Sequence, residues 1–319
     1  TMKPKDAAAL VLLAAVWGGS FLFIRVAVPS LGPLPLVAGR VVLAAAALAA
    51  VLAALGRTVE LRRHARGLLV LGAVNAAIPF TLISWAELHL SAALASTLNA
   101  TVPLFTALLS VAWLGERLTA ARVTGLLLGV AGVAVLVGWS PLPFTLATVL
   151  SVLAMLAAAL SYAFAGVYTR RRMAGASTWT LALGQQVGAA AWLAAPAALT
   201  IPASRPPAGA VGALVGLALL STALAYVLYF RLIASVGPTR TGTVTYVVPL
   251  FGIAWGTLFL GEAVTGGMFV GLALIMASML LVNEVKLAPL GAWLRRAARY
   301  AVLHQSPALE PAQRECASC

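Results

Sequence analysis

The sequence contains few charged residues. Only 9 % of its 319 residues are Asp, Glu, Lys or Arg, against about 25 % in typical soluble domains. Eight residues are acidic, whereas 62 % of all residues are hydrophobic. A water-soluble fold of this size could not cover its core with so few charges. The composition therefore argues against a soluble enzyme, a nucleic-acid-binding protein and a disordered chain.

Residues that bind metals or carry out redox chemistry are also scarce. The sequence holds three histidines and two cysteines, and the cysteines are Cys316 and Cys319 near the C-terminal end. A lone Cys-x-x-Cys pair is weak evidence for a metal or redox site, so we expect free thiols there. No GxxxxGK[ST] loop for binding phosphate is present. The sequence thus predicts no cofactor, no metal site and no direct use of ATP.

The sequence contains instead a series of long apolar segments. Each is long enough to cross a hydrocarbon core of about 30 Å as a helix, which satisfies its own backbone in lipid. We therefore expect an all-α integral membrane protein with ten transmembrane helices in a lipid bilayer. The ten segments are residues 7–28, 34–55, 68–88, 92–114, 120–139, 146–168, 179–200, 210–233, 241–260 and 266–282.

The basic residues indicate the orientation of these helices. Of the 21 Lys and Arg residues, we assign 18 to the two ends of the chain and to alternate connections, counting Arg122 at the start of the fifth span and Arg231 at the end of the eighth with the connections beside them. The opposite connections hold only Arg205, while Arg25 and Arg40 lie within spans. Positively charged loops stay in the cytoplasm. We therefore expect a multi-pass protein of the bacterial inner membrane with both termini cytoplasmic.

An internal repeat appears when the sequence is shifted by 146 residues. From Thr97 to Ala131, 13 of 35 positions are identical without a gap. The matches include Pro103 with Pro249 and Glu116 with Glu262. We assign residues 1–143 to a first five-helix repeat and residues 144–286 to a second. Because five is odd, the two repeats must insert in opposite orientations.

The C-terminal residues 287–319 form a cytoplasmic tail in this interpretation. Apolar and basic residues alternate at helical spacing near Trp293 and Arg296, which is typical of a short helix on an anionic membrane surface. The composition after His304 indicates disorder. No small-residue stripe stands out among the many Ala and Gly residues, so the oligomeric state stays open and a monomer is acceptable.

Several short blocks are distributed over nearly the whole ten-span region. They are Trp17-Gly18-Gly19-Ser20, Arg25, Arg40, residues 92–95, Pro103, Gly115-Glu116-Arg117-Leu118-Thr119, Pro249 and Gly261-Glu262. Together these blocks resemble the EamA branch of the drug/metabolite transporter superfamily. This resemblance implies a ten-helix carrier of small metabolites, often an amino-acid or drug exporter, with the aromatic amino-acid exporters as the nearest type. The chain departs from the pattern at Ala263, where a basic residue is usual, and at Gln185, which stands where Arg40 stands in the first half.

Inverted repeats are typical of alternating-access transporters, which bind substrate near the bilayer midplane. We therefore hypothesise a secondary transporter that exports small metabolites, amino acids and aromatic ones among them. A sugar-phosphate, nucleotide-sugar or drug carrier of the same fold is the alternative. An intramembrane lipid-modifying enzyme is the alternative from another class, but no Asp, Glu or His is placed mid-span to support it.

Two prolines mark candidate hinges. Asn99 lies one turn before Pro103 in the fourth span, and Thr245 lies one turn before Pro249 in the ninth. Proline removes a backbone hydrogen bond and kinks a helix. The polar residues either satisfy the loosened backbone or face a cavity, and both interpretations remain open. Paired kinks at equivalent depth would let both ends of the bundle open and close.

Aromatic residues form a second candidate constellation. Rings and small polar groups recur at helical spacing in several spans, which suits an uncharged or zwitterionic substrate with an apolar group. The alternative for any single ring is ordinary packing against lipid or another helix. The predicted substrate-binding residues are Trp17, Ser20, Phe21, Phe80, Ser84, Asn99, Tyr162, Tyr226, Tyr229, Thr245 and Tyr246.

Three charged residues lie in or near the first three spans. Arg25, Arg40 and Glu87 approach the outer side of the membrane at similar depth. An intramembrane Arg is costly and normally finds a partner or an aqueous path. Glu87 either forms a charge pair with one of the arginines, or an arginine binds a carboxylate of the substrate. Both alternatives stay open at this point.

Overall fold

The computed structural model describes residues 3–140, 143 and 145–284. These residues form ten long helices and contain no strand. The predicted interfacial helix and disordered end of the tail lie outside the described residues. The helices are α1 Pro4–Leu31, α2 Pro33–Ala54, α3 Ala65–Ala86, α4 Ala92–Leu114, α5 Ala120–Gly138, α6 Leu146–Arg172, α7 Thr178–Ala198, α8 Ala208–Val236, α9 Arg240–Leu260 and α10 Gly266–Val282.

Eight of these helices are long and apolar enough to cross a membrane. The other two, α7 and α10, complete the set of ten within the described residues. Helix α7 has 21 residues but carries Gln185 and Gln186, which lower its hydropathy, and the apolar α10 has 17 residues. The prediction of an all-helical, multi-pass membrane protein is confirmed.

Side-chain caps set the starts of five helices. The hydroxyl oxygens of Ser91, Thr119, Thr145, Ser177 and Thr265 each accept a hydrogen bond from the backbone N–H three residues later, at the starts of α4, α5, α6, α7 and α10. Such a cap typically contributes about 1 kcal/mol because it satisfies a donor that the helix leaves unpaired.

The repeated Leu-Gly-Glu blocks end two equivalent helices in the same way. Gly115 after α4 and Gly261 after α9 have φ values of +70° and +65°, a left-handed conformation that glycine adopts without strain. The following N–H groups of Glu116 and Glu262 donate back to the carbonyl oxygens of Ser110 and Gly256 at 3.3 and 3.2 Å. This is the hydrogen bond of a Schellman helix end, so the repeat is structural as well as sequential.

Helix packing follows the same two-fold relationship. Helix α1 packs on α9 and α8, and its counterpart α6 packs on α4 and α3. Helix α8 contacts α2, and α3 contacts α7. The pairs α2 with α7 and α5 with α10 relate each helix to its own counterpart. Each repeat has five helices, so the second repeat runs in the opposite direction to the first.

Helices α3 and α7 approach each other backbone to backbone. A Cβ placed on Gly72 would lie 2.5 Å from the backbone nitrogen of Ala189. One placed on Gly188 would lie 2.5 Å from the carbonyl oxygen of Leu68. Only glycine permits this spacing, because real Cβ atoms do not approach backbone atoms so closely.

Candidate functional site

A cavity of about 360 Å³ lies between the two repeats. Its wall is built from α1, α2, α3, α4, α6, α8 and α9, and side chains of both halves face it. Small-molecule sites typically have volumes of roughly 300–1,000 Å³. The cavity therefore suits one small metabolite and lies where an inverted-repeat transporter binds its substrate.

The lining residues occur as pairs related by the repeat. The shift of 146 residues relates Asn75 to Ser221, Phe80 to Tyr226, Ile83 to Tyr229, Asn99 to Thr245 and Pro103 to Pro249, and all ten residues line the cavity. In most pairs the two side chains differ in size or polarity. The two repeats therefore contribute equivalent backbone positions to the wall, but the side chains at these positions differ.

Two π-helical segments border the cavity at equivalent positions. Residues Ala73–Ala77 form one inside α3, and Leu219–Leu224 form the other inside α8. Their first residues are 146 positions apart. Such segments loosen the regular backbone ladder and are frequent at functional sites. Here they carry Asn75 on one side, and Ser221 with Thr222 on the other, to the cavity wall.

Aromatic rings form much of the wall. The ring centroids of Trp17 and Tyr229 are 5.5 Å apart, and those of Phe80 and Tyr162 are 6.3 Å apart in an edge arrangement. Tyr226 lines the same cavity. All five rings belong to the substrate-binding residues that the sequence predicts, and the fold brings them together from α1, α3, α6 and α8.

Arg40 is the single charged residue among the side chains that line the cavity in the described part of the chain. Its side chain is 6 % exposed. Its Nε atom donates to the hydroxyl of Thr222 at 2.9 Å, and its guanidinium lies 3.6 Å from the ring centroid of Phe80. Nε is the one nitrogen of this guanidinium that donates a hydrogen bond to a described residue, which leaves the terminal nitrogens for a ligand.

Neutral polar groups complete the wall. Asn75 donates to Gln185 Oε1 at 2.5 Å, so α7 supports α3 here. The Oδ1 atom of Asn99 is buried and has no hydrogen-bond partner among the described residues. The hydroxyls of Ser20 and Thr245 donate to nearby carbonyl oxygens of their own helices. The amide oxygen of Asn99, a residue of the cavity wall, is therefore a free hydrogen-bond acceptor.

Four predicted site residues do not line the cavity. Ser84, one turn beyond Phe80 in α3, is buried but does not line the cavity. The Tyr246 hydroxyl accepts a hydrogen bond from Asn283 at 2.8 Å. Arg25 donates to the main-chain carbonyl oxygen of Glu87. The Glu87 carboxylate is fully buried and has no hydrogen-bond partner in the part of the chain that the structure describes.

The two arginines contact different groups. Arg25 donates to the backbone carbonyl oxygen of Glu87, and Arg40 contacts Thr222 and Phe80. Of the two arginines, Arg40 lines the cavity. A charge pair with Glu87 and the binding of a substrate carboxylate therefore both stay predictions, and Arg40 is the arginine whose position suits the second.

The two prolines take unequal positions. Helix α4 is interrupted by a turn at Ala100 and Thr101, directly before Pro103. Pro249 lies inside the continuous helix Val244–Leu260, and the chain turns at Thr243 instead. Both prolines line the cavity. Irregular backbone at this depth is tolerated where it borders a cavity.

Sequence reasoning missed several lining residues. Asn75, Ser96, Ser221 and Thr222 reach the cavity. A signal for two of them existed, because the offset of the repeat pairs Asn75 with Ser221, and both are polar residues within apolar spans. The π-helical segments that turn them inward follow no hydropathy pattern.

Comparison with known proteins supports the assignment of the fold. The model of the EamA-like transporter family matches the chain twice, at residues 6–138 and 149–284. One solved crystal structure is 24 % identical and covers 89 % of this chain and 98 % of its own, with a TM-score of 0.64. At that identity the likeness concerns the fold alone.

Curated relatives cover most of this chain. A protein of Streptantibioticus cattleyicolor named "Probable terminal-alkyne amino-acid exporter" is 28 % identical over 281 residues, 86 % of this chain and 92 % of its own. The uncharacterized transporter YvbV of Bacillus subtilis is 29 % identical over 88 % of this chain and 92 % of its own. The uncharacterized inner membrane transporter YedA of Escherichia coli is 27 % identical over 86 % of this chain and 89 % of its own. Two matches to one family model, a ten-helix fold and a cavity between its repeats place this chain in the EamA-like transporter family of membrane proteins.

Proposed function

We propose that this protein is a secondary transporter that exports amino acids, aromatic ones among them, by alternating access. The two repeats, residues 1–143 and 144–286, would rock about the cavity between them. The observation that carries the proposal is Arg40, the one cation that the described residues place on a wall of aromatic rings. Such a wall suits a molecule that has one carboxylate and an apolar side chain.

The size and charge of the cavity favour amino acids over the other substrates of this fold. A sugar phosphate is a multiply charged anion, and Arg40 is the one cation among the described residues of the wall, which leaves part of that charge unpaired. A nucleotide-sugar would overfill a cavity of about 360 Å³. An aromatic amino acid places its carboxylate at Arg40 and its ring among Trp17, Tyr162 and Tyr226. The amino-acid exporter among the relatives supports the same substrate class.

The distribution of basic residues supports the direction of insertion. With 18 of 21 Lys and Arg residues on one side, the positive-inside rule places both termini in the cytoplasm. One relative is named an inner membrane transporter. We therefore propose a bacterial inner membrane location, with the start of α4 and the end of α9 on the outer side.

A counterflow screen in proteoliposomes tests this function. Vesicles preloaded with an unlabelled aromatic amino acid should accumulate the labelled compound transiently, with saturation. Preloading with sugar phosphates or with cationic drugs should give no accumulation. Saturable exchange of a sugar phosphate or a drug, without exchange of any amino acid, would replace this proposal with one of the alternatives. Turnover of lipid by the purified protein would support the enzyme alternative.

The aromatic wall gives a first prediction for side chains. Tyr226→Ala or Trp17→Ala should raise the apparent KM for an aromatic amino acid about tenfold, because each ring that packs on a ligand contributes about 0.5–1.5 kcal/mol beyond its burial. The matched control is Tyr226→Phe, which keeps the ring and should stay near the wild-type KM. Unchanged transport in both alanine variants would remove the aromatic pocket from the proposal.

The prolines give a second prediction. Pro103→Ala and Pro249→Ala should each lower the turnover rate several-fold with little change in KM, because a straighter helix resists the bend that opens one end. The measurement is initial counterflow rate at saturating substrate. Pro35→Ala in α2, outside the cavity wall, serves as control. Wild-type rates in both hinge variants would refute the hinge role.

A further inference from the structure

The carboxylate of Glu262 bridges the two repeats at one end of the cavity. Its Oε1 atom accepts from the backbone N–H of Ala92 at 2.8 Å, and its Oε2 atom accepts from that of Ala93 at 3.0 Å. Glu262 follows the end of α9, and the two donors are the first residues of α4. Helix starts carry partial positive charge and unpaired N–H groups, so a carboxylate there forms charge-assisted hydrogen bonds.

Glu262 completes the cap of α4. The hydroxyl oxygen of Ser91 accepts a hydrogen bond from the N–H of Leu94. The N–H groups of Ala92 and Ala93 are therefore left to donate to the carboxylate of Glu262. Separating α4 from α9 would leave both donors and the carboxylate without partners at the same moment. The contact between the repeats therefore resists opening more strongly than an exposed ion pair would.

Small residues bring the helices together beneath this contact. A Cβ on Gly256 would lie 2.4 Å from Glu262 Oε2, so the glycine leaves room for the carboxylate over its own helix. A Cβ on Gly252 would lie 2.2 Å from the hydroxyl oxygen of Ser96. The segment Ala92–Asn99 packs on α9 and α1 here. Ala92, Ala93 and Ser96 are fully buried, so the contact leaves no solvent-exposed gap between the helices here.

The opposite end lacks the same arrangement. The counterpart Glu116 lies 3.1 Å from Arg122 and 3.6 Å from Arg170 in ion pairs. The segment Val102–Leu114 packs on α6 and α10. The shift of 146 residues pairs Ala92 with Pro238, which has no N–H to donate, and pairs Gly256 with Ser110, which carries a side chain where the glycine has none. The sequence therefore does not repeat at the other end the donor and the glycine that this contact uses.

We propose that Glu262 is a one-sided latch that holds the cavity closed at the end where α4 begins and biases the resting protein to open at the other end. This rests on the alternating access of the proposed function but not on the identity of the substrate. The latch releases when the two hydrogen bonds from Ala92 and Ala93 break. We expect no equivalent latch at Glu116, because Pro238 stands where the repeat would place the donor Ala92.

Thiol labelling of a single cysteine tests the latch without any substrate. Cys316→Ser and Cys319→Ser remove the native thiols, and Ser96→Cys places a reporter at the closed end of the cavity. A membrane-impermeant maleimide is added to right-side-out and to inside-out vesicles in parallel, so that the result does not depend on the assumed orientation. Glu262→Gln should raise the labelling rate from the face where α4 begins about tenfold, which corresponds to ~1.4 kcal/mol.

The matched control is Glu116→Gln, which should leave that labelling rate unchanged. Gly256→Ala, which displaces the carboxylate but keeps its charge, should raise the rate in the same direction, and a monodisperse elution profile establishes that each variant is folded. If the Glu262→Gln and Glu116→Gln proteins have the same labelling rate as each other, whichever face of the membrane the maleimide reaches, the latch would be overturned. Absence of amino-acid counterflow would overturn the proposed substrate but would leave the labelling result standing.

Discussion

Arg40→Gln is expected to lower the transport of aromatic amino acids at least tenfold at subsaturating concentrations. A hydrogen bond to a charged group is worth about 1.5–3 kcal/mol, and 1.4 kcal/mol corresponds to a factor of ten. Arg40 is the cation that the described part of the chain presents to the cavity. Glutamine keeps a donor but loses the charge and the planar fork that matches a carboxylate. The measurement is the initial rate of counterflow against substrate concentration.

The chemistry of the substrate provides the sharpest control for this prediction. The methyl ester of the same amino acid has no carboxylate, so the ratio of acid to ester transport should fall in Arg40→Gln. Arg25→Gln alters an arginine outside the cavity wall, bound to the carbonyl oxygen of Glu87, and should leave this ratio unchanged. The acid-to-ester ratio of Arg40→Lys should lie between those of the wild type and Arg40→Gln, because lysine keeps the positive charge but lacks the planar fork of a guanidinium. An unchanged ratio in Arg40→Gln would remove the arginine from substrate recognition.

Gly72→Ala is expected to destabilise the protein strongly. The added Cβ would lie 2.5 Å from the nitrogen of Ala189 and 2.6 Å from the carbonyl carbon of Gly188. These are backbone atoms of α7, so they cannot rotate away as a flexible side chain would. Overpacking typically costs about 1–3 kcal/mol, and the shift of α3 would also disturb the hydrogen bond from Asn75 to Gln185. We expect a fall of several degrees in the apparent Tm in detergent, with a parallel loss of transport.

Gly212→Ala in α8 is the matched control for Gly72→Ala. No heavy atom lies within 4 Å of the position its Cβ would take, and alanine favours helix over glycine by about 1 kcal/mol. Its apparent Tm should equal or exceed that of the wild type. Equal Tm values for the two alanine variants would contradict the close approach of α3 to α7.

Hydropathy and the repeat predicted the architecture because both are properties of long segments. Twenty consecutive apolar residues in lipid have few conformations open to them, so the ten spans could be placed to within a few residues. The shared Leu-Gly-Glu blocks predicted equivalent helix ends, and Gly115 and Gly261 adopt the same left-handed conformation. The features that extend over long stretches of the sequence, the apolar spans and the repeat, therefore predicted the helices and their equivalent ends.

The cavity wall could be predicted only where helical spacing stays regular. Phe80 and Tyr226 face the cavity, and the residues that accompany them are Ile83 and Tyr229, three positions later. Ser84, four positions after Phe80, does not line it. After the π-helical segments, the lining residues of α3 and α8 are therefore three positions apart. Tyr246 illustrates the same limit, since a neighbour in sequence is rotated by about 100° around a helix.

Partners of charged groups could not be predicted because they depend on the backbone. Arg25 and Glu87 lie at similar depth, yet the guanidinium reaches a carbonyl oxygen that becomes available where α3 ends. Arg40 finds Thr222, whose position depends on the π-helical segment Leu219–Leu224. Neither contact follows from spacing along the chain.

Substrate protection of a cavity cysteine tests most directly whether the transported molecule occupies this cavity. Ser221→Cys places a thiol on the cavity wall, at a position that is 1 % exposed, in the background that lacks Cys316 and Cys319. We predict that an aromatic amino acid slows maleimide modification of this thiol, with half-protection at the concentration that gives half-maximal counterflow. A modification rate that stays constant while the same substrate saturates counterflow would contradict the assignment of this cavity as the transport site.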